Sequence, residues 1–216
     1  MKKPFLILSI CLVIFSCSPD RVHKDDLIDK GEMFSPLYYY NDKPFTGVAF
    51  EFWENGELRS EENFKDGQKN GLSEFWHYNG KLWSQGDFKD GMYVGLHQEW
   101  FEYGGLAFQS NSNALGEWDG LVQKWYENGQ LWYKELYKNG IKEGYDQEWY
   151  KDGTLKWEGS YKNGKLDGFY QEWYDNGLLK FEINYKDGVK NGLFQEWYEN
   201  GQLKSKRTYK DGLEIN

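Results

Sequence analysis

Repetition is the strongest constraint on this sequence. From Gly47 to the end, glycines at 47, 71, 95, 120, 144, 168 and 192 open seven units, spaced 24, 24, 25, 24, 24 and 24 residues apart. Counting each opening glycine as offset 0, a second glycine recurs at offset 9 (Gly56, Gly80, Gly104, Gly129, Gly153, Gly177, Gly201). A leucine follows at offset 11 (Leu58, Leu82, Leu106, Leu131, Leu155, Leu179, Leu203). A fixed period of this length marks an array in which one small unit cannot bury its apolar side alone and is held by its neighbours.

Within each unit the local chemistry is that of a β-hairpin. Asn-Gly or Asp-Gly between alternating apolar residues favours a two-residue type I′ turn, because both turn residues need positive φ. At offsets 8 and 9, Asn55-Gly56, Asn79-Gly80, Asn128-Gly129, Asp152-Gly153, Asn176-Gly177 and Asn200-Gly201 fit, and Tyr103-Gly104 does not. A second such pair ends most units (Asp66-Gly67, Asp90-Gly91, Asn139-Gly140, Asn163-Gly164, Asp187-Gly188, Asp211-Gly212) and predicts a looser turn. The expected fold is all-β, an elongated single-layer or rolled ribbon of seven tandem 24-residue β-hairpin repeats. Two strands per unit, about 4.8 Å apart, give a ribbon roughly 65 Å long.

A two-residue turn at offsets 8 and 9 sets the register and so decides which side chains share a face. Offset 6 then lies opposite the leucine, and offset 17 opposite the opening glycine. The expected core face carries Trp53, His77, Phe101, Tyr126, Tyr150, Tyr174 and Tyr198 with the leucines and with Phe64, Phe88, Tyr137, Tyr161, Tyr185 and Tyr209. The opposite face carries Phe52, Trp76, Trp100, Trp125, Trp149, Trp173 and Trp197 at offset 5, beside Gln98, Gln123, Gln147, Gln171 and Gln195, with Lys156, Lys180 and Lys204 across from them. This Trp ladder is either a candidate binding face, since Trp suits surfaces apolar at one end and wet at the other, or a second buried layer reached by rolling. A three-residue turn would exchange the faces.

The repeat domain is expected over 37–216, with 37–46 (LYYYNDKPFT) a half-repeat that pairs as a starting strand. The last strand, with Lys204, Lys206, Arg207 and Lys210, suits a terminal cap, because charge discourages edge pairing. In the third unit AFQSNSNALGE replaces the usual strand and adds one residue. It reads either as a degenerate loop or as a bulge that shapes a site.

The chain begins MKKPFLILSICLVIFSCSPD. Its apolar run is too short for a bilayer of about 30 Å, which needs roughly 20 residues, and the basic start and small-residue end are those of an export signal. Val13 to Cys17 resembles the lipobox of bacterial lipoproteins, which implies a signal peptide over 1–16, acylation of Cys17 and a tether over 17–36. Cys11 would leave with the signal, so the mature chain would hold no thiol for a disulfide, a nucleophile or a metal. A cell-envelope protein held to the membrane through Cys17 follows, on the outer membrane if the envelope is Gram-negative, by the resemblance of Ser18 to the residue that favours it.

Formal charge is −9, and moves to −11 without the two lysines of 1–16. Nucleic-acid phosphates repel such a body. Aromatic residues at 19% are too abundant for a disordered chain. His23, His77 and His97 fall in no zinc or triad spacing, and the Asp-Gly pairs lack the ligand set of a calcium loop. The glutamates at offset 4 (Glu51, Glu99, Glu148, Glu172, Glu196) recur about 9.6 Å apart, and a catalytic carboxylate pair needs two different environments rather than one repeated. The sequence therefore points to no enzyme, no cofactor and no metal.

The unit G-x-x-x-E-W-Y-x-N-G-x-L followed by Y-K-D-G resembles the MORN-repeat variant found in bacterial YwqK-family antitoxins, and Lys43-Pro44-Phe45-Thr46-Gly47 is similar to their lead-in. The resemblance implies strings of hairpins that bind partners without catalysis, and its antitoxin label implies sequestering a toxin, here one acting in the envelope. A protein-binding scaffold is the first expectation. A cell-wall or polysaccharide binding module using the Trp ladder is the alternative, because aromatic-Gly repeats such as choline-binding repeats stack ligands on Trp.

Overall fold

The computed structural model describes residues 20–32 and 36–215, so the expected signal peptide and Cys17 lie outside the described residues. Seven hairpins run in chain order through one antiparallel sheet. Each outgoing strand pairs with its own returning strand, and each returning strand pairs with the next unit. The short strands Asp20–His23, Ile141–Lys142 and Leu213–Ile215 complete a 17-stranded sheet.

The two turns of each unit reverse the expectation. At the second pair both residues have positive φ, 50° at Asp66 and 84° at Gly67, so Lys65 and Gln68 close a tight two-residue loop. At the first pair only the glycine does, 87° at Gly56. There the Gly56 N–H donates to the Trp53 carbonyl at 2.9 Å and the Trp53 N–H donates to the Glu57 carbonyl at 2.8 Å, closing a three-residue loop, Glu54-Asn55-Gly56. Asn55 serves the loop through its side chain instead: Oδ1 accepts from the Glu57 N–H at 3.0 Å, and Nδ2 donates to the Tyr78 carbonyl on the next tip at 2.9 Å. The glycine alone requires the left-handed region, so Tyr103-Gly104 closes the same loop at 2.8 and 2.9 Å.

The longer loop moves the leucines. Trp173 pairs with Leu179, and a bulge then restores the hairpin body, where Glu172 pairs with Phe181 and Gly168 with Tyr185. Leucine therefore lies across from the Trp ladder, not across from offset 6. The offset-12 lysines move the other way, onto the face of offsets 4 and 6, where Lys180 Nζ meets Glu172 Oε1 at 2.6 Å.

Burial is one-sided. Ala49, Ser73, Val122 and Asp146 at offset 2, Ser60 and Ser84 at offset 13, Glu62 and Ile183 at offset 15, and Phe64 and Phe88 at offset 17 are buried and share one face. With sheet pairing running only edge to edge, this is the inner face of the ribbon.

The N-terminal segment is not a free tether. Asp20–His23 pairs parallel with Gly47–Phe50, and a single 3₁₀ turn, Lys24–Asp26, follows. Ile28–Asp29, Tyr38–Tyr40 and Lys43–Pro44 form a separate three-stranded sheet rather than the start of the ribbon. Its residues Tyr38, Tyr40 and Phe45 pack on Phe64, Ala49 and Val22, which covers the inner face of a unit that has no predecessor. At the other end Leu213–Ile215 pairs outside the lysine-rich strand, so that strand is not the edge. In the third unit Leu106–Ser112 is a regular strand. A three-residue loop at Asn113–Glu117, closed by bonds of 2.8 and 3.0 Å, replaces the two-residue turn and accounts for the extra residue.

Candidate functional site

The outer face carries three parallel rows. At offset 1, Leu72, Leu96, Leu121 and Tyr145 are 42%, 48%, 40% and 62% exposed. At offset 3 an amide row crosses the strands: Gln98 bonds Gln85 at 3.3 Å and Gln109 at 3.0 Å, while Gln147 donates to Glu158 and Gln171 to Glu182, each at 3.0 Å. Gln123 and Gln195 occupy the same row, half-buried. At offset 5, Trp76, Trp100, Trp125, Trp149, Trp173 and Trp197 are all half-buried, shielded by the leucines that pair with them. The expected binding residues thus share one face, but the exposed apolar surface belongs to offset 1 rather than to the indoles.

The inner face is stitched at the hairpin tips. Tyr126, Tyr150 and Tyr174 donate their hydroxyls to the carbonyls of Trp149, Trp173 and Trp197 in the following unit, at 2.9, 3.0 and 2.9 Å. Trp53 Nε1 and His77 Nε2 reach the equivalent carbonyls of Trp76 and Trp100 at 3.0 and 2.8 Å. The stitch survives a change of side chain, so it belongs to the fold.

Beside the stitch, offsets 4 and 12 differ along the ribbon. In the last three units they are ion pairs, Glu148–Lys156, Glu172–Lys180 and Glu196–Lys204, at 2.7, 2.6 and 2.8 Å, with each ammonium 5.7 to 5.9 Å from the neighbouring Tyr ring, and in the first unit Glu51 pairs with Arg59 at 2.6 Å, its guanidinium 4.6 Å from Trp53. Burial alone would raise the Glu148 carboxyl, but hydrogen bonds from Lys156 and Trp157 outweigh it and hold it below the usual range. In the second unit the pair is Phe75 and Trp83, edge to face at 6.1 Å. Next to it opens a groove of about 480 Å³, lined by Trp53, Phe75, Trp76, His77, Tyr78 and Trp83, with Lys24, Glu51, Arg59 and Glu102 among its polar groups. The sequence reading missed this groove, although the signal was present as the replacement of Glu and Lys by two aromatics at one pair of offsets.

The buried charges are paired and structural. Glu62, fully buried, is held by Lys24 and Lys69; burial would raise its carboxyl, but the lysines lower it overall. Lys142 bridges Asp146 and Glu135, both at 2.8 Å, and Tyr137, bonded to Glu135 at 3.0 Å, is pushed up to about 12 by burial and by that carboxylate. His97 is buried against Tyr93, with Ser84 Oγ 3.2 Å from Nε2, and burial lowers its basicity. The Ser84 hydroxyl beside His97 is itself buried, at 4% exposure, which fits a packing role. Among the described residues no group of three or more His, Cys, Asp or Glu is placed to hold a metal ion, and no helix is long and apolar enough to cross a membrane.

A search of curated proteins finds no match to this sequence. The profile of one protein family, described as "MORN repeat variant", matches five segments that together span half the chain: 45–66, 69–90, 118–139, 166–187 and 190–211. Each runs from the lead-in of a hairpin to its two-residue Asp/Asn-Gly turn, the repeating element of the ribbon. The chain belongs to the MORN repeat variant family.

Proposed function

We propose that this protein is a non-catalytic scaffold of the cell envelope, anchored by lipid on Cys17, that binds a protein partner along its outer face and acts on it as an antitoxin or immunity protein acts on a toxin. The observation that carries the reading is the row of exposed Leu72, Leu96, Leu121 and Tyr145 beside a half-buried Trp ladder. Exposed apolar side chains recurring along one face of a ribbon mark an interaction surface. Beside it the glutamines at offset 3, interleaved with carboxylates such as Glu158 and Glu182, supply hydrogen-bonding groups of the kind that rim a protein interface. Repetition extends the strip, so a partner contacts several units at once. The antitoxin role rests on the family resemblance, and the anchor on the Val13 to Cys17 sequence.

The test is crosslinking in the native host with wild type and with the triple variant Leu72→Asp, Leu96→Asp, Leu121→Asp. A partner that crosslinks reproducibly to wild type and is lost in the triple variant supports the reading. A crosslinking pattern identical in both removes it. Cys17→Ser should abolish incorporation of a labelled fatty acid, and unchanged labelling would refute the anchor.

A further inference from the structure

The groove at the tips of the first two units has features that the fold does not need. The last three units show that Glu and Lys at offsets 4 and 12 satisfy the ribbon. Phe75 and Trp83 give up that ion pair, leave Trp83 47% exposed, and border the 480 Å³ groove. A space of a few hundred Å³ lined by aromatic faces with a few convergent polar groups is the usual form of a ligand site.

The lining selects the ligand. Arg59 is already paired with Glu51 at 2.6 Å and Lys24 with the buried Glu62, so both cations of the lining are engaged and neither is set to hold an anionic ligand. Arg59 already lies over the Trp53 ring at 4.6 Å, occupying the face that a ligand cation would seek. A purely apolar ligand would strip water from these polar groups without replacing their hydrogen bonds. His77 donates Nε2–H to the Trp100 carbonyl at 2.8 Å, which leaves Nδ1 an acceptor. A sugar ring meets both demands, with C–H faces for the indole and hydroxyls for the carboxylates, the guanidinium and the imidazole. The aromatic surface also continues along the tips: Tyr78 is 55% exposed, and Tyr103, 53% exposed, is stacked on Phe101 at 5.4 Å. The geometry points to a binding site for an uncharged oligosaccharide at the first two hairpin tips, with one ring stacked on Trp83 and the chain running toward Tyr103. This site is on the inner face and is independent of the partner surface proposed above.

The experiment titrates the full chain with N-acetylglucosamine, maltose-type and cellulose-type oligomers, followed by calorimetry and Trp emission, with oligogalacturonate as an anionic control. At least one neutral series should bind saturably, more tightly as the oligomer lengthens, with a blue shift of emission. Phe75→Glu combined with Trp83→Lys installs the ion pair of the later units and should abolish binding while preserving the melting midpoint. Trp83→Ala, at a half-exposed position, should weaken binding tenfold or more. The triple Leu→Asp variant of the outer face should bind sugar like wild type. Absence of saturable binding by all three neutral series, tighter binding of oligogalacturonate, or undiminished binding by a folded Trp83→Ala variant would overturn the proposal.

Discussion

The units at the two ends of the ribbon have nearly the same backbone, but the second unit uses it differently from the last three. Both ends of the ribbon close their tips with the same three-residue loop, and both donate a side-chain hydrogen to the next unit's offset-5 carbonyl, from Trp53 and His77 in one half and from Tyr150 and Tyr174 in the other. In the last three units a Glu–Lys pair, and in the first unit Glu51–Arg59, fills the space beside that stitch. In the second unit Phe75 and Trp83 leave it open. A repeat supplies its own control: what recurs despite substitution is required by the fold, and what changes without harm to the fold is free to serve something else.

Four measurements test this contrast. The largest effect should come from the opening glycines, which carry positive φ in both halves: 101° at Gly71 and 115° at Gly168, where an added Cβ would come within 3.3 Å of Asn63 Cβ and 3.1 Å of Ser160 Cβ. Gly71→Ala and Gly168→Ala should each cost about 2 kcal/mol in urea unfolding, from backbone strain plus crowding. Markedly unequal costs would mean that the halves differ in backbone as well as in side chains.

Next in size, removing the tip stitch should be about equally harmful wherever it is done. Tyr174→Phe and His77→Phe each delete one hydrogen bond to a carbonyl and should cost roughly 1 kcal/mol. If only one of them destabilises, the stitch is not common to the whole ribbon. The ion pair that the second unit lacks should matter less. Lys180→Ala breaks a half-exposed pair and should cost about 0.5 kcal/mol, shrinking with added salt. A cost above that of the Tyr174→Phe change would mean that the pair is structural, and that its absence from the second unit weakens the fold.

The smallest effect is confined in pH. Burial lowers the basicity of His97 in the folded state, so the unfolded chain takes up its proton first. Stability from this group is complete above the ordinary histidine range and declines as pH falls through that range toward the folded value. Thermal midpoints measured from pH 7.5 to 5 should fall more for wild type than for His97→Gln. Parallel curves would refute the assignment.

Much of this arrangement is legible in the sequence. The glycine and leucine spacing marks every hairpin, and the opposition of the opening glycine to the offset-17 aromatic in six of the seven units, as in Gly168 and Tyr185, follows from counting. The turn types were not legible, because Asn-Gly suits both a two-residue loop with two positive φ values and a three-residue loop with one. Asn55 is held to the second by bonds from its side chain to Glu57 and to the next tip, and the latter exists only once the units are stacked. That one residue of loop length carries the leucines to the outer face. Asp20–His23 was equally opaque: it lacks an alternating pattern of its own and is captured by the open edge of the first hairpin. The groove sat between these cases, visible as a departure at offsets 4 and 12 and meaningful only beside units that keep the ion pair.

By itself the sequence determined the all-β repeat, its period, and the glycines at which the chain must turn left-handed, because these depend on residues within a few positions of one another. Which face is inner, how the N-terminal sheet covers it and the open groove beside Phe75 and Trp83 arise when the units stack. Burial and free volume are set by side chains from neighbouring units, and no local propensity encodes them.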